Sequence, residues 1–190
     1  VPDFMKEILA ELTRLARRSP DISQRSGVSV RASVSNYETV LANALRRAIR
    51  TGEQEVVPRV SDLPFLVSSM QGKVEFEAFE EGREEQILAH LLEQAVQEVF
   101  RRRVAPESVE TVVAAFDSGA AAEVGEAVPS TAYTELARSV EGLADAVARL
   151  APEGSTGVRA AACELVLEGL HLNKRLNKAS VAGTTTYRGM

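Results

Sequence analysis

The residues of this chain best placed to do chemistry lie in the stretch Gly27-Val28-Ser29-Val30-Arg31-Ala32-Ser33. Ser29 has the character of a helix N-cap, because its hydroxyl accepts a hydrogen bond from a free backbone N–H of the first turn. The run from Val30 to Arg50 contains neither Gly nor Pro, which places Arg31 just inside the start of a long helix. A cation is out of place there, since the helix dipole makes it unfavourable by roughly 0.3–1 kcal/mol. A local rule broken in this way points to function. The same terminus favours anions, and a guanidinium beside it adds a two-pronged hydrogen bond to phosphate. Phosphate binding is therefore the functional reading of Arg31. Two plainer readings stand beside it: Arg31 extends into water, or the helix starts later, at the capping box Ser35-x-x-Glu38, and leaves Arg31 in a loop.

Other chemistries are poorly represented. A P-loop needs G-x-x-x-x-G-K-[ST], whose amides cradle phosphates. At the Gly72-Lys73 pair, Val67 stands where the first glycine belongs and Val74 where Ser or Thr belongs. His90 and His171 are far apart, and neither sits in an H-E-x-x-H pattern. Cys163 lies among Ala and Leu on an apolar helix, the setting of a core residue rather than a nucleophile. No nucleophile elbow or dinucleotide-binding glycine pattern is present, so the chain alone is expected to catalyse nothing and to hold no metal.

Ala, Leu, Val, Glu and Arg dominate a chain of 190 residues with no Trp, a composition that favours helix over sheet. The net charge of −5 argues against nonspecific attraction to nucleic acid or to an anionic membrane. One cysteine excludes an internal disulfide and fits a reducing, cytoplasmic setting. No apolar stretch approaches the roughly 20 residues of a membrane span, and no signal peptide is visible. The opening Val-Pro-Asp-Phe, without Met, reads as an excised piece of a longer protein.

The elements that must position Arg31 follow from periodicity, and they predict an all-α fold. Asp3 caps a helix whose stripe is Phe4, Met5, Ile8, Leu9, Leu12 and Leu15, ending near Ser19-Pro20. The Arg31 helix is expected to bury Val40, Leu41, Ala44, Leu45 and Ala48 and to stop at Thr51-Gly52. A turn at Val57-Pro58 leads into a short helix through about Met70. Glu75, Glu77, Glu80, Glu81, Glu84 and Glu85, with Phe76 and Phe79 between them, suit the start of a helix over about 81–103, in preference to an acidic docking site. Three basic clusters, Arg14/Arg17/Arg18, Arg46/Arg47/Arg50 and Arg101/Arg102/Arg103, fall in last turns and read as solvated helix ends.

The chain divides into a helical bundle over 1–103, a short helix and linker over 104–129, and a helical hairpin with a flexible tail over 130–190. Tyr133, Leu136, Val140, Leu143, Val147 and Leu150 form a seam spaced by threes and fours, packing along a final helix over about 157–177. The last twelve residues read as extended or disordered.

Taken together, Gly27-x-Ser29-x-Arg31-Ala32-Ser33, Ala42-Asn43-Ala44-Leu45-Arg46-Arg47-Ala48, Gly52-Glu53 and Val57-Pro58-x-x-x-Asp62-Leu63 resemble a known pattern. It is the sensor-2 region in the helical lid of MoxR-type and magnesium-chelatase-type AAA+ ATPases. The chain is most similar to bacterial proteins resembling the magnesium-chelatase ATPase subunit, which share the Glu80–Gln86 segment and the Glu168–Lys178 segment. The resemblance implies a lid that folds over ATP bound to a preceding α/β core. Arg31, with Ser29 beside it, would reach the γ-phosphate. It also implies ATP and Mg2+ in the full-length parent only, a homo-oligomeric ring, typically a hexamer, and partners carrying a von Willebrand factor A domain. The P-loop, the Walker B motif and sensor 1 are missing here and would lie upstream, so activity belongs to the parent. The alternative is a non-enzymatic helical oligomerisation or partner-docking domain using the 133–150 seam. A helix-turn-helix DNA binder is disfavoured by the acidic charge.

Overall fold

The computed structural model describes residues 1–23, 28–77 and 83–190. Gly27 of the motif, Phe79, and Glu80 to Gly82 of the acidic segment lie outside the described residues.

The first helix, α1 (Asp3–Ala16), buries Phe4, Met5, Ile8, Leu9, Leu12 and Ala16 along one face. That face packs on α4 (Arg83–Arg103), whose own stripe is Leu88, Leu91, Leu92, Ala95, Val96 and Val99. Between them in sequence, α2 (Val30–Thr51) ends at Gly52, a left-handed cap with φ +71° whose N–H bonds Ala48 O. Residues 53–59 return toward α2. A single 3-10 turn over Val60–Asp62 then hands the chain to α3 (Phe65–Met70), which packs along α2.

The second half is built around α8 (Thr156–Leu172). All residues from Ala160 to Leu170 are buried, which makes it a central helix with no solvent face. It is covered by α4, by α6 (Ala132–Ser139) and by α7 (Leu143–Leu150). Against α4 the approach is close: a Cβ on Gly169 would overlap the Phe100 ring. The preceding α5 (Glu110–Asp117) buries Val112, Val113 and Phe116.

Three expectations are corrected here. The fold is mostly helical rather than all-α, because the described residues also form a three-stranded antiparallel sheet of order β1-β3-β2. Its strands are β1 (Ala121–Gly125), β2 (Asn177–Val181) and β3 (Thr184–Arg188). The last twelve residues, expected to be extended or disordered, are extended, most of them in this β2–β3 hairpin. β1 closes it, with Ala122 opposite Tyr187. The strands are five residues each and built mostly of small or polar residues, so they carry little apolar periodicity to announce them. Finally, the 133–150 seam is two helices. The chain breaks at Val140-Glu141-Gly142, where Gly142 has φ +79° and a Cβ would sit 2.8 Å from Thr111 Cβ. The final helix likewise stops at Leu172, short of 177. Among the described residues no helix is long and apolar enough to cross a membrane.

Candidate functional site

The start of α2 is fixed by what lies on either side of the candidate residues. Val28 and Ala32 are both buried, and the Val28 carbonyl accepts from Arg17 Nε at 3.3 Å. The Ser33 hydroxyl meets Thr13 Oγ1 of α1 at 3.1 Å. Ser29 has extended φ and ψ (−63°, 149°) and its hydroxyl accepts from the Arg31 N–H at 3.1 Å. The helix therefore begins at Val30, not at Ser35, whose hydroxyl instead takes a hydrogen bond from Lys73 Nζ at 2.7 Å.

Arg31 stands in the first turn, which carries no acidic residue. Its side chain is exposed, and among the described residues its guanidinium makes no hydrogen bond or ion pair. Buried neighbours thus hold the backbone while the charged group stays outside the bundle. Chemically, the arrangement suits an anion. The guanidinium offers forked donors, and the Ser29 hydroxyl keeps its proton to donate while its lone pair serves the cap.

The same helix presents an uncovered apolar face. Val30 is 71% exposed, Val34 53%, Tyr37 37%, Leu45 48% and Ile49 74%, at spacings that keep them on one side. Leu45 was expected inside. Val40, Ala44 and Ala48 are buried as expected, Leu41 is half-buried, and Arg47 is buried with them. The inner face of α2 also carries Arg47, which finds carboxylates there.

Arg47 is a second correction, since its cluster reads as solvated. Arg46 and Arg50 are exposed and reach Glu126, whereas Arg47 is buried. Its guanidinium donates to both Asp62 oxygens, at 3.3 and 3.1 Å, and to Glu53 at 3.4 Å. Arg59, equally buried, donates to Glu53 Oε1 at 2.8 Å, to the Val128 carbonyl at 2.8 Å and to Ser130 Oγ, and it stacks 4.7 Å from the Tyr133 ring centroid. Burial opposes ionisation of Glu53, but the Ser130 hydrogen bonds together with Arg59 and Arg47 hold its carboxyl below its ordinary value. Arg47 is pushed above its ordinary value: burial disfavours its charge, but Asp62, with Glu164 and Glu53, outweighs that. Asp62 of the motif therefore fixes Arg47 to the Arg59 backbone, while Glu53 and Arg59 tie the α2–α3 connection to Val128 and Ser130 of the second half. Arg59 was not singled out from sequence; a charge between Pro58 and Val60 in an apolar stretch is the only signal for it.

His90 is exposed and pairs with Gln94 at 3.0 Å. Cys163 is buried, and burial pushes its thiol up. No group of three or more His, Cys, Asp and Glu among the described residues is arranged to hold a metal. Compared with known proteins, the chain matches no family model, no curated protein and no solved structure.

Proposed function

We propose that this chain is the lid and C-terminal extension of a MoxR or magnesium-chelatase-type AAA+ ATPase, with Arg31 as its sensor-2 arginine. The observation that supports this most is the Arg31 guanidinium, without a partner among the described residues, at a capped helix N-terminus that lacks an acidic residue. Such a group, held by buried Val28 and Ala32, fits a nucleotide phosphate brought by another part of the parent. The exposed stripe from Val30 to Ile49 offers that part an apolar seat.

In this reading the P-loop, Walker B motif and sensor 1 lie in an upstream α/β core that binds ATP and Mg2+. The parent forms a homo-oligomeric ring, a hexamer, in the cytoplasm, with a partner bearing a von Willebrand factor A domain. ATP supplies the phosphoanhydride to be cleaved. Arg31 contributes a fixed positive charge where negative charge grows, so its contact is stronger in the transition state than in the ground state. Loss of such a contact costs on the order of 2–4 kcal/mol. ATP hydrolysis by the full-length Arg31→Ala protein is therefore expected to fall more than tenfold. Unchanged turnover and nucleotide affinity would remove the role.

The exposed α2 face also favours a second reading, a docking domain without hydrolysis. Its surface would be α2 rather than the seam, because Tyr133, Val140, Leu143 and Val147 are buried against the chain's own core. The reading frame before Val1 separates the two. Roughly 200 codons, enough for a domain and carrying G-x-x-x-x-G-K-[ST], support the ATPase; a start codon at Val1 supports the docking domain.

A further inference from the structure

A cavity of about 390 Å³ lies where α3 and α4 meet α8 and the sheet. It falls within the roughly 300–1,000 Å³ typical of small-molecule sites. Its walls are apolar: Val60, Leu63, Val67, Leu92, Val96 and Val124. Glu164 and Glu168, one turn apart on α8, also line it, although neither position favours a carboxylate in a helix with no solvent face.

The two carboxylates are compensated differently. Glu168 accepts from Lys178 Nζ at 2.8 and 2.9 Å and from the Tyr187 hydroxyl. Glu164 is 2% exposed, and every donor to it is neutral: the Ser61 N–H at 2.7 Å, the Ser61 hydroxyl at 3.1 Å and the Tyr133 hydroxyl. Among the described residues it forms no ion pair. Buried charges are ordinarily paired, because an isolated one is costly to desolvate, and Glu164 is offset by the Arg59 charge only at a distance, without direct contact. Oε2 of Glu164 receives a single donor, which leaves it acceptor capacity. Elsewhere on the lining, Glu126 is paired with Arg46 and Arg50, and Glu93 adds further negative charge. An anion would meet this excess of carboxylates directly. A neutral apolar molecule would fill the walls and leave the spare acceptor capacity of Glu164 Oε2 unused.

We infer that this cavity binds a small organic cation, a primary ammonium or amidinium on an apolar body, with its N–H groups on Glu164 and its body against the valine and leucine walls. The inference stands independently of Arg31 and of any ATPase role. It is tested by titrating the chain with phenethylammonium and, separately, with phenethyl alcohol of nearly the same shape, followed by amide-resolved NMR. The reporters are the Ser61 N–H, which bonds Glu164, and the Gly125 N–H, which bonds the Tyr133 hydroxyl at 3.0 Å. The ammonium is expected to shift both in a saturable way with Kd of about 1 mM or tighter, and the alcohol to bind at least tenfold more weakly. Glu164→Gln is expected to weaken the ammonium at least tenfold. Absence of saturable shifts at these amides, or equal binding of the two probes, overturns the inference. Because the two probes are compared on the unmutated chain, the result stands even where Glu164→Gln fails to fold.

Discussion

Arg59→Ala is the most informative perturbation of this fold, because the Arg59 side chain ties the 52–62 loop to residues 128–133. The substitution removes three hydrogen bonds, to Glu53, the Val128 carbonyl and Ser130, together with the stacking on Tyr133. Removing one partner of a buried ion pair costs about 3–5 kcal/mol, mainly because the other charge is left behind. Glu53 is not wholly orphaned: it keeps the Ser130 N–H at 3.0 Å, the Ser130 hydroxyl at 2.6 Å and Arg47 at 3.4 Å. The expected loss therefore sits near the lower end, about 3 kcal/mol, a large share of a stability of about 5–15 kcal/mol. Urea unfolding followed by far-ultraviolet circular dichroism suits a chain without Trp. With a slope of about 1–3 kcal/mol/M, the midpoint should fall by about 1–3 M. Arg59→Met combined with Glu53→Gln should cost less than the sum of the single changes, a coupling of about 0.5–3 kcal/mol. A single-mutant loss below about 1 kcal/mol, or strict additivity, would refute the claim that this buried pair joins the two halves.

Gly169→Ala should destabilise by about 1–3 kcal/mol or more in the same assay, since the added methyl meets the buried Phe100 ring and α4 must move off α8; a neutral result would mean that this contact yields freely. Acid should act on two carboxylates with opposite sign. Glu53 is held below its ordinary 4.5, so its contribution is complete above that value and is lost as pH falls through its folded value. Glu164 is raised above 4.5, chiefly by burial, so its contribution is complete below 4.5 and is lost as pH rises through its folded value. Urea midpoints measured against pH should accordingly lose part of their slope below pH 4.5 in Glu53→Gln, and in Glu164→Gln lose the part of any decline with rising pH above 4.5 that this carboxyl causes; identical profiles for all three proteins would contradict both assignments.

Much of the helical frame was legible in the residues. The α1 stripe, the Ser29 cap, the Gly52 stop and the 83–103 helix are local features, written in 3.6-residue periodicity and in residues whose backbone preferences are strong. The partners of long-range contacts were not. Glu53 and Asp62 could be seen in the motif, but nothing adjacent to Arg47 says that a loop will fold back and neutralise it inside the core. The sheet was missed for a related reason: β1 and the β2–β3 hairpin are separated by α6, α7 and α8, and the register of Ala122 against Tyr187 exists only once the chain has returned.

By itself, then, the sequence determined where α2 begins and ends and that a cation would occupy its first turn, because capping and periodicity act within one or two turns. Tertiary structure decided which face of α2 turned inward, that Arg47 and Arg59 were buried while Arg31 remained outside, and that Glu164 came to line a cavity. Those outcomes depend on which charges meet across long stretches of chain, and a buried charge is tolerated only where the fold delivers its partner.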